Sequence, residues 1–157
     1  MQYVSTRAKN TVVTGAQAIV KGLSEDGGLF VPSEFPAISK QELTAMEDME
    51  YSERAAFVLS KFLTDFSLEE LNEYTKKAYE RFYDGDPCPL VAIDDKTYIL
   101  ELWHGPTCAF KDMALTLLPH LMVASRKKVG ETSKTLILVA TSGDTGKAAL
   151  EGFKDVE

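Results

Sequence analysis

Lys111 is the residue whose surroundings in the sequence best fit chemistry. It lies in ELWHGPTCAFKDMAL, residues 101–115, where an apolar strand passes through a Gly-Pro-Thr turn into an amphipathic run. Phe110 before it and Met113 after it predict a half-desolvated ammonium. Desolvation favours the neutral amine, which condenses with aldehydes. Lys111 is therefore a candidate nucleophile, and the alternative is an ordinary solvated surface lysine.

A second candidate site is the turn in ATSGDTGKAAL, residues 140–150, which follows the apolar run at residues 135–139. Such a run is typical of a strand buried on both faces of a parallel sheet. The turn opens a helix, whose first N–H groups can hold an anion that the glycines allow to approach. The alternative is a capped turn, with Thr141, Ser142 or Asp144 as the cap.

Four stretches together resemble one family. They are YVSTR at residues 3–7, GLSEDGGLFVP at residues 22–32, HGPTCAFKD at residues 104–112 and ATSGDTG at residues 140–146. In this order they resemble threonine synthases, pyridoxal-phosphate (PLP) enzymes of fold type II, the class of the tryptophan synthase β-subunit. The resemblance spans residues 3 to about 153 and corresponds to the N-terminal portion of family members.

The resemblance implies a function and a set of site residues. The reaction would convert O-phospho-L-homoserine and water to L-threonine and phosphate, with PLP held as a Schiff base on Lys111. Phe110 and Asp144 would contact the cofactor. Ser142, Gly143 and Thr145 would receive the substrate carboxylate. In the family, the loop for the PLP phosphate and the partner of the pyridine nitrogen lie later, and neither is recognisable before Glu157. A chain of 157 residues is therefore expected to bind PLP poorly.

Composition limits the classes of partner. The formal charge of −7 argues against nucleic acid and anionic membrane, because an acidic surface repels both. No apolar run approaches the roughly 18 residues of a membrane span, and no signal pattern opens the chain, which predicts a cytoplasmic protein. Cys88 and Cys108 are too few for a disulfide framework and are expected to remain thiols. No spacing indicates a metal site. The sequence gives no oligomeric state.

The first 85 residues predict a small, mostly helical domain. Thr14, Ser39 and Ser67 each precede a glutamine or glutamate by three residues, which is the pattern of a capping box. Ser52 is the expected cap of another helix, in which apolar residues recur at helical spacing. The turn at residues 24–28 is interpreted as loop chemistry rather than a binding site.

The stretch DGDPCP at residues 84–89 is the predicted domain boundary, because its two prolines exclude a helix. Residues 86–157 then predict a strand pair followed by strand–helix–strand–helix order, which implies a parallel sheet. A helix is expected from about Lys111 to Lys128, interrupted near Pro119. The predicted fold class is α/β, with a small, mostly helical N-terminal domain. The resemblance to the family implies that residues 86–157 are the first part of a PLP-binding domain of fold type II. Ligands bind at the carboxyl ends of parallel strands, where both motifs fall.

Two other functions fit parts of the sequence. The run GDTGK, ending at Lys147, is similar to the end of a nucleotide-binding P-loop. That template needs glycine at position 141 and serine or threonine at position 148, where this chain has Thr141 and Ala148. A non-catalytic domain that binds a small molecule or a protein through the same turn is the second alternative.

Overall fold

The computed structural model describes residues 1–8, 10–83 and 85–156. Its elements are β1 (Tyr3–Ser5), β2 (Val12–Val13), α1 (Gly15–Lys21), β3 (Phe30–Pro32), α2 (Lys40–Ala45), α3 (Tyr51–Phe62), α4 (Leu68–Tyr79), β4 (Leu90–Ala92), β5 (Tyr98–Leu100), α5 (Asp112–Leu115), α6 (Leu118–Val129) and α7 (Asp144–Phe153). This mixture of helices and strands confirms the predicted α/β class. None of the helices in the described ranges has the length and apolar content needed to cross a membrane.

The chain divides into two compact units, each discontinuous in sequence. The first comprises Met1–Thr75 and Leu121–Ser133, and the second Lys76–His120 and Lys134–Glu157. The predicted domain division at residue 85 stays a prediction. Asp84, the first residue of the predicted boundary stretch, lies outside the described residues, as does Glu157 at the end of the second predicted domain.

The first unit contains a three-stranded antiparallel sheet in the order β2-β1-β3, with Val4 of β1 opposite Val12 and Val31. The turn before β3 is fixed by Asp26, whose carboxylate accepts hydrogen bonds from the Ser5 hydroxyl and the Gly28 N–H, each at 2.8 Å. The Gly28 N–H bond is the main reason that the pKa of Asp26 is lowered. These contacts give the turn a structural role.

Three of the four predicted helix caps are confirmed. Thr14 and Ser39 form complete capping boxes at the starts of α1 and α2. Ser67 does the same for α4: its hydroxyl accepts the Glu70 N–H at 3.1 Å, while Glu70 accepts the Ser67 N–H at 2.7 Å. Each cap depends only on two residues three positions apart, and this spacing is readable from the sequence.

The prediction for Ser52 is wrong. Helix α3 begins at Tyr51, and Ser52 lies within its first turn. Glu53 accepts a hydrogen bond from the Glu50 N–H at 2.9 Å and so fixes Glu50 as the cap position. Three residues after Ser52 stands Ala55, which has no side-chain acceptor to return such a bond.

Glu42 in α2 carries a prediction for acid stability. Hydrogen bonds from the Lys61 ammonium and then from Ser39 lower the pKa of Glu42 from 4.5 to about 2. Because the folded-state pKa is depressed, the stability gained from this carboxylate is complete above about pH 4.5 and is lost as pH falls through 2. We expect the melting temperature of Glu42→Gln to fall less steeply between pH 4.5 and 2 than that of the unaltered protein.

The control for this prediction is Glu47→Gln, which removes an exposed carboxylate from the neighbouring turn. It should keep the acid dependence of the unaltered protein. Identical acid slopes for Glu42→Gln and the unaltered protein would contradict the role assigned to the Glu42 carboxylate.

The second unit begins its sheet structure with the predicted strand pair. Strands β4 and β5 are antiparallel, with Val91 opposite Ile99. The predicted long helix is interrupted, as expected: α5 ends at Leu115, and α6 begins at Leu118 with Pro119 as its second residue. Proline is tolerated in a first helical turn because that turn's N–H groups have no intrahelical partner.

The predicted strand at residues 135–139 is not formed. These residues have no regular secondary structure, and the side chains of Leu136 and Leu138 are 78% and 83% exposed. The strand pairs among the described residues are all antiparallel, so the expected parallel pairing is also absent there. A parallel strand needs a neighbour to complete its backbone hydrogen bonds, and β4 and β5 pair with each other instead.

Candidate functional site

Lys111 lies at the cap position of α5, directly after the turn that contains Gly105 and Thr107. It is half-buried, as its apolar neighbours predict, and its Nζ lies 4.8 Å from the centre of the Phe110 ring. Phe110 is 59% exposed. It therefore lies next to the lysine ammonium and leaves apolar surface that a ligand can contact.

The turn before Lys111 is held by backbone and side-chain contacts within its own segment. The Cys108 N–H donates to the Gly105 carbonyl at 3.0 Å, and Cys108 has a φ of 57°, in the left-handed region. His104 lies 2.7 Å from a Glu101 carboxylate oxygen and stacks on Trp103. These contacts give His104 a structural role in this segment.

Helix α7 begins within the predicted turn, with Gly143 at its cap position and Asp144 as its first residue. Thr141 is the capping side chain: its Oγ1 accepts the N–H groups of Gly143 at 3.1 Å and Gly146 at 3.0 Å. Among the described residues, the N–H groups of Asp144 and Thr145 donate to no protein acceptor. The same turn can therefore be capped and bind an anion. Thr141 accepts two of its N–H groups, and the other two remain available to a ligand.

We expect Thr141→Val to loosen the start of α7, because valine keeps the shape of threonine but has no acceptor. The loss should be about 1 kcal/mol, or roughly fivefold less protection of the Gly146 amide from hydrogen exchange. Thr141→Ser, which keeps the hydroxyl, should retain the protection. Full protection in Thr141→Val would show that the cap is held by other contacts.

Helices α5 and α7 pack backbone to backbone. A Cβ atom on Gly152 of α7 would lie 2.0 Å from the carbonyl oxygen of Leu115, the last residue of α5. No larger residue fits there without separating the helices. Arg81 also anchors α7, with its Nη2 2.5 Å from a carboxylate oxygen of Glu151. Helix α5, which follows Lys111, and helix α7, which begins within the Ser142–Thr145 turn, are therefore fixed to each other.

An open cavity of about 980 Å³ lies between the two motifs. The residues lining it are Pro106, Thr107, Cys108, Val139, Ala140, Thr141, Gly143, Gly146, Lys147, Leu150, Glu151 and Lys154. Of the predicted site residues, Gly143 lines the cavity wall. The other five, Phe110, Lys111, Ser142, Asp144 and Thr145, are not among the lining residues, and the last three are exposed. The cavity thus brings together the two segments that the sequence singled out.

Two residues of this region escaped the sequence analysis. Asp112 is 1% exposed and accepts hydrogen bonds from Thr107, and Gly152 sets the approach of α7 to α5. The only signal for Asp112 was an acidic residue placed directly after the candidate lysine. For Gly152, the sequence shows only a glycine within a helical pattern, which does not indicate a close contact between helices.

The fit of this region to PLP can be judged from its donor set. An aldehyde cofactor requires a primary amine and apolar surface, which the half-buried Lys111 and the exposed Phe110 supply. A carboxylate requires hydrogen-bond donors, which the two N–H groups without protein acceptors at the start of α7 supply. The residues present therefore fit the part of PLP chemistry that the sequence assigns to them.

Comparisons with known proteins give a consistent family. The family model described as "Threonine synthase N terminus" matches residues 2–79. The threonine synthase of Methylobacillus glycogenes is 37% identical over 158 residues, covering 95% of this chain and 33% of that protein. That of Schizosaccharomyces pombe is 35% identical, with coverages of 98% and 32%.

A solved structure agrees with these sequence relatives. The PLP-bound threonine synthase from Brucella melitensis superimposes with a TM-score of 0.92 at 38% identity, covering 100% of this chain and 34% of that one. The chain spans about a third of the length of the relatives it matches. Because the sequence match and the fold match both extend over nearly the whole chain, this chain belongs to the threonine synthase family.

Proposed function

We propose that the protein of which this chain is a part converts O-phospho-L-homoserine and water to L-threonine and phosphate, with PLP as its cofactor. The proposal rests on the close packing of two helices of one unit, each of which begins at one of the two motifs. Lys111 is at the start of α5, the anion-binding turn is at the start of α7, and Gly152 leaves no space between the helices. An amine and a carboxylate receptor held at a constant separation suit an amino-acid substrate.

Lys111 is the proposed attachment point and the proposed base. Its amine would hold the cofactor aldehyde covalently, and after the substrate's own amino group replaces it, the same amine would accept the proton from the substrate α-carbon. When bound, PLP withdraws electrons from that carbon. The Phe110 ring, next to the Lys111 ammonium, would contact the apolar surface of the cofactor.

The turn at the start of α7 is the proposed carboxylate receptor. The N–H groups of Asp144 and Thr145 have no acceptor among the described residues, and the positive end of the helix favours an anion there. The hydroxyls of Ser142 and Thr145 are exposed and can add hydrogen bonds. Fixing the carboxylate orients the α-carbon towards the base.

Asp144 is the proposed contact for the cofactor's ring hydroxyl. Its side chain is exposed at the first position of α7. A carboxylate beside a phenolate is repulsive unless the two share a proton, so this contact requires one proton between them.

The rest of the proposed reaction takes place at the β- and γ-carbons of the substrate. Loss of a proton from the β-carbon would break the bond from the γ-carbon to the phosphate oxygen, and the γ-carbon would then gain a proton and become a methyl group. Water would add its hydroxyl group to the β-carbon, the α-carbon would regain its proton, and the remaining proton of water would go to the phosphate. These changes balance substrate and water against threonine and phosphate.

Neither alternative function gains support. A P-loop needs its lysine to reach phosphates held by a glycine at position 141, and the Thr141 hydroxyl there is already engaged as a helix cap. A binding domain without catalysis needs no half-buried lysine at the start of α5. A cytoplasmic location stays a prediction from the sequence.

The test is to incubate the complete protein with PLP and O-phospho-L-homoserine, and to measure amino acids and inorganic phosphate together. We expect threonine and phosphate in equal amounts, with no product when PLP is removed. Phosphate accompanied by homoserine would indicate simple hydrolysis and overturn the proposal. No turnover despite bound PLP would favour the non-catalytic binding domain.

A further inference from the structure

We propose that Asp112 is a positioning residue that fixes Lys111, an inference that rests on the proposed function of Lys111. Asp112 is 1% exposed, although it carries a carboxyl group and directly follows the candidate lysine. Buried carboxylates occur where hydrogen bonds hold them. The hydrogen bonds of the Asp112 carboxylate show which part of the chain it holds.

Both oxygens of the Asp112 carboxylate accept hydrogen bonds from one residue. Oδ2 accepts the backbone N–H of Thr107 at 2.8 Å, and Oδ1 accepts the Thr107 hydroxyl at 2.7 Å. These two bonds join the first residue of α5 to a position five residues earlier. They close the segment that contains Lys111 into a loop.

The same side chain supports the loop by direct packing. A Cβ atom on Gly105 would lie 2.4 Å from the Asp112 Cβ and 2.5 Å from its Oδ2. Gly105 is itself buried, so the backbone of the loop lies against the Asp112 side chain. The aspartate thus determines how closely the Gly-Pro-Thr turn approaches α5.

The backbone of Asp112 is held on its other side. Its N–H donates to Ala109 at 2.9 Å, and its carbonyl accepts the buried Thr116 hydroxyl at 2.8 Å. Lys111 therefore lies between two anchored positions, and its backbone is fixed at φ −64° and ψ −21°. Because a lysine side chain has four rotatable bonds, a fixed backbone is needed to restrict where its amine can reach.

This role differs from that of a simple stabilising hydrogen bond. If Asp112 acts through geometry, an uncharged residue of the same shape should serve. The oxygen of asparagine can accept the Thr107 N–H, and its amide can donate to the Thr107 hydroxyl. Alanine can do neither. Misplacement of a reacting group by about 1 Å costs on the order of 10²-fold in rate.

The experiment uses the complete protein with PLP, traps the cofactor with borohydride at a series of times, and quantifies the pyridoxyl peptide containing Lys111. We expect Asp112→Ala to slow labelling of Lys111 by about 10²-fold, and Asp112→Asn to restore most of that rate. Thr107→Val, which removes one of the two bonds, should be slower than Thr107→Ser. With substrate, kcat should fall in parallel while KM changes little, because the carboxylate receptor is untouched.

Thr75→Val is the matched control, because Thr75 is buried and its hydroxyl bonds to the Leu71 carbonyl at 2.9 Å within α4. It should lower the melting temperature without changing the labelling rate. If Asp112→Ala fails to fold, the comparison of Thr107→Val with Thr107→Ser decides.

Three results would overturn the inference. They are wild-type labelling in both Asp112→Ala and Thr107→Val, labelling in Asp112→Asn as slow as in Asp112→Ala, or slow labelling in Thr75→Val as well. If the unaltered protein is not labelled at Lys111, the proposed function itself fails, and the positioning role falls with it.

Discussion

Lys111→Ala is expected to abolish both the covalent attachment of PLP and the formation of threonine. Alanine removes the only functional group that this position supplies, and loss of a positioned base alone costs roughly 10²–10⁴-fold in rate. After borohydride reduction of the unaltered complete protein, peptide mapping should place the pyridoxyl group on Lys111. The variant should carry none there.

The matched control is Lys147→Ala, which removes an exposed lysine from the wall of the cavity between the two motifs. It should leave labelling at Lys111 unchanged. Labelling at Lys147 or Lys127 instead would refute the assignment of Lys111. Melting temperatures should accompany both measurements, since Lys111 occupies the cap position of α5 and loss of labelling must be distinguished from local unfolding.

The helix starts were predictable from sequence because a cap is a local device. Ser39 and Glu42, or Ser67 and Glu70, satisfy each other's hydrogen bonds over three residues whatever the rest of the chain does. The prediction of Ser52 as a cap was wrong for an equally local reason. Glu53 accepts a hydrogen bond from the Glu50 N–H, which places the cap two residues before Ser52.

The strand at residues 135–139 could not be predicted in the same way. Apolar composition says that a segment suits a buried strand, but pairing depends on another segment distant in sequence. Here the apolar side chains of Leu136 and Leu138 remain exposed, and the nearby strands β4 and β5 pair with each other across a short turn.

In the candidate site, too, residues with a local signal were predictable and residues whose role depends on the folded structure were not. Lys111 and the Ser142–Thr145 turn could be proposed from residue types, because an amine beside aromatic residues and a glycine-containing helix start each have a chemistry of their own. Asp112 could not, since its importance lies in two hydrogen bonds to Thr107 that only the folded loop creates. The approach of Gly152 to Leu115 is likewise a property of the packed helices.

Gly143→Val is expected to weaken substrate binding and to lower turnover while PLP remains attached to Lys111. Gly143 has a φ of 137° and a ψ of −60°, a conformation that a β-branched residue adopts only at a cost of about 1–3 kcal/mol. A Cβ there would meet no atom within 4 Å, so the variant acts by altering the backbone and not by a clash. The turn should relax and redirect the N–H groups of Asp144 and Thr145.

One assay of phosphate release with the complete protein separates the explanations. Under the carboxylate-receptor proposal, Gly143→Val should raise KM and lower kcat. Thr145→Ala should cost only about 1 kcal/mol, roughly fivefold, because it removes one hydroxyl contact. Lys147→Ala should be nearly unchanged, whereas a P-loop would make it the most damaging variant of the three.

Gly130→Val controls for the strain of placing valine at a positive φ. Gly130 has a φ of 73°, no atom within 4 Å of a built Cβ, and a position in the first unit after α6. It should reduce stability without raising KM, since its backbone holds no proposed ligand group. If Gly143→Val keeps full activity, or if Gly130→Val raises KM to the same extent, the α7 turn is not the carboxylate receptor. If Gly143→Val instead loses PLP from Lys111, the turn contributes to holding the cofactor as well as the substrate, and the division of roles between α5 and α7 must be redrawn.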